Sequence, residues 1–246
     1  MPRFFAPSEN FCENIVKIVG DDAYHIARAL RMAVGDEITV ADMKGREHSC
    51  RLIKIRDNEC ECEILSTEEG KTESPVEITL YMGYPKGDKL ETVIQKAVEL
   101  GAIRIIPFES SRCIKKPKQE KAEKQGARLS RIAEEAAKQC GRSRLPEVMP
   151  PVSFSEAIKA ASEADLPLFC YEGDGTTSLK SVIESKRDAK TVSVVIGCEG
   201  GFSLDEAEKA VKAGLIAVNL GPRILRCETA PSYVLSAISY AFELRA

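Results

Sequence analysis

At 246 residues, 43% hydrophobic and 30% charged, the chain has an ordinary globular composition and room for one large domain or two smaller ones. A net charge of −3 argues against indiscriminate binding to nucleic acid. Met1 to Phe5 open no apolar stretch of signal-peptide length and no run approaches a membrane span, so a cytoplasmic protein without membrane contact is expected.

Residues 1–73 read as β-rich. Asp21 to Met32 is a short predicted helix, with Asp21 or Asp22 as its cap and Val34-Gly35-Asp36 as its exit. Glu37 to Asp42, Ser49 to Arg56 and Glu61 to Leu65 show the alternation and β-branched content of strands, with a turn at Lys44-Gly45. This is the pattern of a small barrel-like module. The polar stretch Ser66 to Pro75 is the predicted linker, which divides the chain into domains 1–73 and 74–246.

Beyond it the rhythm alternates. Strands are predicted at Val76 to Met82, Ile103 to Pro107, Leu166 to Tyr171, Val192 to Ile196 and Ile216 to Leu220. Helices are predicted at Lys89 to Leu100, Lys121 to Cys140, Asp205 to Ala213 and Pro231 to Leu244. Gly101, Gly141 and Gly214 stand where three of these helices stop. Such alternation implies an α/β domain with a parallel sheet flanked by helices.

Charge is uneven along the chain. Residues 1–73 hold 10 Lys and Arg against 15 Asp and Glu, whereas Arg112 to Arg144 carries 11 basic and 4 acidic residues. A basic patch on an acidic protein points to a selected polyanion. The nine cysteines are scattered and odd in number, and read as free thiols in a reducing compartment. Cys60-x-Cys62 has the wrong spacing for zinc, only two histidines are available, and no metal is predicted.

Two apolar runs empty into unusual segments. Val194-Val195-Ile196 leads into Gly197-Cys198-Glu199-Gly200-Gly201-Phe202-Ser203, and the run ending at Leu220 leads into Gly221-Pro222-Arg223-Ile224-Leu225-Arg226-Cys227-Glu228-Thr229-Ala230. In a parallel sheet two such exits lie side by side, where the carboxyl ends of strands form ligand crevices. Neither G-x-G-x-x-G nor a P-loop lysine occurs, which counts against dinucleotide and nucleoside triphosphate binding. Ser203 with Glu206 reads as a capping box, and Thr229 as a cap for the last helix.

These two motifs resemble the RsmE family of 16S ribosomal RNA uridine-N3 methyltransferases, SPOUT-class proteins. So do Lys86-Gly87-Asp88-Lys89, Gln95 to Gly101, Glu135 to Arg142 with Leu145-Pro146, Arg3-Phe4-Phe5 and His25 to Asp36. This chain departs from the family pattern at Cys198, where relatives usually carry proline. The resemblance implies a C-terminal trefoil-knotted parallel sheet flanked by helices, and a small N-terminal PUA-like, RNA-binding β-barrel. It implies S-adenosylmethionine held by Tyr171, Glu172, Ile196, Gly197, Glu199, Gly200, Gly201, Leu220, Gly221, Leu225 and Arg226. It further implies 16S rRNA of the small ribosomal subunit as partner, with uridine 1498 as target. A homodimer is implied too, for which the apolar face Val234, Leu235, Ile238 and Ala241 is available.

Uracil N3 carries an imide proton, so a nearby cation would stabilise the anion that forms when this proton leaves. Arg226 or Arg223 is the candidate. Glu199 and Glu228 are candidate bases, with hydroxide as the alternative. Phosphate contacts are expected from Arg112, Lys115, Lys116, Arg142 and Arg144, and from Arg3, Arg28 and Arg31 of the small domain. A SPOUT enzyme acting on transfer RNA and a non-catalytic ribosome-assembly factor are the competing readings.

Overall fold

The computed structural model describes residues 1–113 and 122–244. The chain forms two compact units, Met1–Glu73 with Ala137–Leu145, and Ser74–Ala136 with Pro146–Ala246.

The first unit contains strands β1 (Arg3–Phe5), β2 (Phe11–Cys12) and β3 (Ile15–Val19), helix α1 (Asp21–Tyr24), and strands β4 (Glu37–Ala41), β5 (Arg46–Ile55) and β6 (Glu59–Glu69). They form a curled six-stranded sheet in the order β1-β4-β5-β6-β3-β2, parallel only between β1 and β4. Period-two alternation turns Val16, Ile18, Cys50, Leu52, Cys60 and Cys62 into one core with Phe4, Ile26 and Ile38. The predicted helix from Asp21 is shorter than its apolar pattern. After Tyr24 it widens into π-type turns over His25–Ala29, and Arg31 at φ 52° breaks it.

The predicted linker is also corrected. Its first four residues, Ser66–Glu69, belong to β6, because β5 supplies backbone partners as far as Arg46 opposite Glu69. Their polarity reflects exposure of that end of the strand rather than a break in it. The short segment 137–145, which the sequence groups with the second domain, packs within the first unit instead. Lys138 Nζ lies 2.7 Å from Asp22 Oδ1, the Thr72 hydroxyl donates to the Gly141 carbonyl at 2.8 Å, and Arg142 pairs with Glu73.

In the second unit the chain runs β7 (Glu77–Gly83), α2 (Lys89–Glu99), β8 (Ala102–Glu109), α3 (Ala122–Cys140, whose last residues belong to the first unit), β9 (Glu147–Val148), β10 (Val152–Ser153) and α4 (Phe154–Ala161). It continues through β11 (Leu166–Cys170), β12 (Thr177–Ser178), α5 (Leu179–Ser185), β13 (Thr191–Ile196), α6 (Leu204–Lys212), β14 (Ile216–Asn219) and α7 (Thr229–Phe242). The sheet order is β10-β8-β7-β13-β11-β14-β12 with β9 on β8, and every pairing is parallel. Tyr81, Phe108, Phe169 and Val195 pack under α4 and α6, while α7 packs on α2, α5 and β13. Both faces are thus covered, as a parallel sheet requires.

Helices α4 and α5 are absent from the sequence reading, although Ser153 and Glu156 form a complete capping box at the start of α4. The same device at Ser203 and Glu206 opens α6. Thr229 is not a cap but the first residue of α7, and Glu228 precedes it without a side-chain capping bond. Val234, Leu235 and Ile238, the face expected at a dimer contact, are fully buried in the chain's own core. Among the described residues no helix is long and apolar enough to cross a membrane.

Candidate active site

Because the strands are parallel, β7, β11, β13 and β14 all end on one edge of the sheet. There the exits of β11, β13 and β14 and the start of α2 enclose a cavity of about 450 Å³. Its wall includes Tyr171 and Glu172 after β11, Ile196, Gly197, Glu199 and Gly201 at the β13 exit, and Leu220, Gly221, Leu225 and Arg226 at the β14 exit. Arg223 and Glu228 line it as well. Gly200, grouped with these by the sequence, lies off the wall. A Cβ there would stand 3.0 Å from Cβ of Arg112, whose guanidinium donates to the Gly200 carbonyl at 2.8 Å.

The β13 exit is a tight backbone turn. The Gly201 N–H donates to the Cys198 carbonyl at 2.9 Å, and Gly201 adopts φ 61°, which only glycine does without strain. Gly83, at the end of β7, leaves room for this turn: a Cβ there would come within 2.5 Å of the Cys198 nitrogen. The Cys198 thiol is buried against Cys113. Hydrogen bonding from Cys198, with Ser110 adding to it against burial, lowers the Cys113 thiol, and the same bond pushes Cys198 up.

The β14 exit is looser. Gly221 turns at φ 95°, Ile224 is 83% exposed, and Arg223 and Arg226 are exposed without side-chain partners among the described residues. The Arg226 carbonyl accepts from the Thr229 and Ala230 amides at 2.9 and 3.0 Å, so the backbone is fixed while the guanidinium stays available.

Lys89, to which sequence reasoning gave no role, joins the two exits. Its Nζ lies 3.0 Å from Glu199 Oε1 and 3.4 Å from Glu228 Oε2. Burial works against the Glu199 charge, but hydrogen bonds from its own amide, Lys89 and the Lys86 amide outweigh it and hold the carboxyl below its usual range. Glu228 is held low chiefly by its own backbone N–H, with Cys227 and Lys89 contributing. Both carboxylates are therefore acceptors committed to their ionised forms.

The expected phosphate contacts divide. Arg31 and Arg144 are exposed; Arg28 is exposed but paired with Asp57 at 2.6 Å. Arg3 is taken up by Glu47 at 3.0 Å and by the Arg142 carbonyl. Arg142 is 2% exposed, its guanidinium 2.6 Å from Glu73, and it offers no surface to a phosphate. Lys115 and Lys116 lie outside the described residues. Among the described residues no group of three or more His, Cys, Asp and Glu side chains is placed to hold a metal ion.

Comparison with known proteins agrees with this architecture. Residues 72–239 match the model of an RNA methyltransferase domain, and residues 18–65 that of an RNA methyltransferase PUA domain. Ribosomal RNA small subunit methyltransferase E of Bacillus subtilis is 36% identical, over 92% of this chain and 90% of that protein. The chain belongs to the ribosomal RNA small subunit methyltransferase E (RsmE) family. Its Synechocystis relative is 31% identical over 98% of this chain and 78% of its own length. The RsmE protein of Neisseria gonorrhoeae, whose crystal structure is bound to S-adenosylmethionine, superposes with a TM-score of 0.89 at 32% identity over 100% of both chains. The second unit thus has the RsmE, SPOUT-type fold, and the first its companion PUA-like module.

Proposed function

We propose that this protein transfers a methyl group from S-adenosylmethionine to N3 of a uridine in 16S rRNA of the small ribosomal subunit, uridine 1498 by family resemblance. The observation that carries the reading is the meeting of both strand exits at one cavity with two arginines that have no side-chain partner among the described residues. The cavity fits the cofactor chemically. Ile196, Leu220 and Leu225 offer apolar walls for a purine, the glycine turn offers close backbone, and Glu172 offers a carboxylate for a cationic amine. Its volume is that of a site for a ligand of this size. When bound, the cofactor supplies an electrophilic methyl on a sulfonium.

The remaining work falls to this chain. An exposed Arg226 guanidinium beside a uracil oxygen favours the imide anion and so makes the N3 proton easier to lose. Arg223, on the same loop, is assigned to the phosphate of the extruded nucleotide, since it is exposed and lines the cavity. Glu199 and Glu228 are poorly suited to be the base, because carboxyls held low and bonded to Lys89 attract a proton weakly. We assign them to shaping the cavity and leave the proton to solvent. Of the arginines expected to meet phosphate, Arg28, Arg31, Arg112 and Arg144 are exposed and are assigned to rRNA. The reading includes a cytoplasmic homodimer. Since the apolar face of α7 is internal, Tyr233 and Tyr240, 47% and 73% exposed, are its contact candidates.

The test is to incubate the protein with S-adenosylmethionine and small subunits lacking the modification, then digest the RNA and look for 3-methyluridine by mass spectrometry. Its appearance at one position supports the reading. Cofactor binding without the product redirects the search to another RNA, such as transfer RNA. Absence of both favours an assembly factor.

A further inference from the structure

Lys89 stands at an electrostatically awkward place. As the first residue of α2 it puts a cation at the positive end of a helix, which disfavours it. The compensation is tertiary: Glu199 arrives from the β13 exit and Glu228 from the loop after β14, and Lys89 bonds both. No other side chain among the described residues bonds both of these carboxylates. Each retains a local partner of its own, the Lys86 amide for Glu199 and the Cys227 thiol for Glu228. Lys89, Glu199 and Glu228 all line the cavity.

We propose that Lys89 is a positioning residue whose ammonium ties the glycine turn to the arginine loop, and that this tie sets the cavity's shape and its affinity for the cofactor. The inference rests on the reading that the cavity takes S-adenosylmethionine. Without the ammonium, two carboxylates facing one point repel, and the loops carrying Gly201 and Arg226 part. The groups facing this point are Glu199, Glu228 and Cys227. The Cys227 thiol is pushed by burial up to about 12 and stays neutral below pH 8, so the repulsion belongs to the two carboxylates. It weakens as pH falls, because without the ammonium the repulsion itself raises one carboxyl and lets it take up a proton.

The test compares the full-length protein with Lys89→Met, Lys89→Arg and the double variant Lys89→Met/Glu228→Gln. The first readout is amide hydrogen exchange over residues 197–202 and 223–230 without ligand, at pH 7.5 and pH 5; the second is S-adenosylmethionine affinity by calorimetry. For Lys89→Met we expect exchange in both loops about tenfold faster at pH 7.5, with a smaller effect at pH 5, and affinity about tenfold weaker. The double variant and Lys89→Arg should each recover most of both losses. Unchanged exchange, or a loss independent of pH that removing the Glu228 charge does not rescue, overturns the proposal. If the unsubstituted protein fails to bind the cofactor, that reading falls, while the exchange data still decide whether Lys89 ties the loops.

Discussion

Arg142 and Arg226 are the same residue type in opposite circumstances. Arg142, in the first unit, is 2% exposed and fixed by Glu73, whereas Arg226, on the cavity loop, is exposed and has no side-chain partner among the described residues. The contrast extends to their neighbourhoods. Arg3, Arg28, Arg46 and Arg51 all pair with carboxylates of the first unit, while Arg223 shares the free state of Arg226. A guanidinium already satisfied by its own fold stabilises that fold. One left unsatisfied beside a cavity is available to a ligand or to charge that develops during a reaction.

The comparison breaks most visibly at Arg142. Arg142→Ala leaves the half-buried Glu73 charge without the buried guanidinium that pairs with it and should destabilise the protein by about 3 kcal/mol in denaturant unfolding. The sign with pH is definite. Burial alone would raise the Glu73 carboxyl, but the bonds from Arg142 and from the Ser143 and Arg144 amides hold it low in the folded state. Its stabilisation is therefore present above the unfolded carboxylate range and lost as pH falls through the lowered value. The gap between the parent and Arg142→Ala should be widest near neutral pH and shrink in acid.

At the cavity, Arg226→Ala should lower kcat by about 10²-fold or more, with cofactor affinity changed less than about threefold. Equal loss of both in single-turnover and calorimetric measurements would make Arg226 a binding residue. Gly83→Ala pushes a methyl into the Cys198 backbone and should weaken cofactor binding about tenfold, with a destabilisation of about 1–3 kcal/mol. Arg28→Ala should do least to the fold, since its ion pair is exposed, and leave the melting temperature within about 1 °C. If Arg28 also meets rRNA, this variant lowers the salt slope of binding by about one unit.

Much of the site could be read along the chain because it is local. Gly197 to Gly201 and Gly221 to Glu228 are continuous segments following apolar strands, and parallel strands must bring their exits to one edge. The strands and helices of the second unit followed the same local periodicities, except where short pieces such as α5 (Leu179–Ser185) lack the length to make a pattern. The misplacement of Arg142 has the opposite cause. Its basic neighbourhood pointed to a phosphate-binding patch, but its partner Glu73 lies 69 residues away and charge composition says nothing about pairing over that distance.

By itself, then, the sequence determined which segments become strands, where those strands open and which residue types gather there, since periodicity and glycine placement act over a few neighbours. Only the tertiary structure decided which charges find each other. It buried Arg142 on Glu73, joined two loops through Lys89 and left Arg226 free. An ion pair depends on distance in space and on the water excluded around it, and neither quantity is written in the order of the residues.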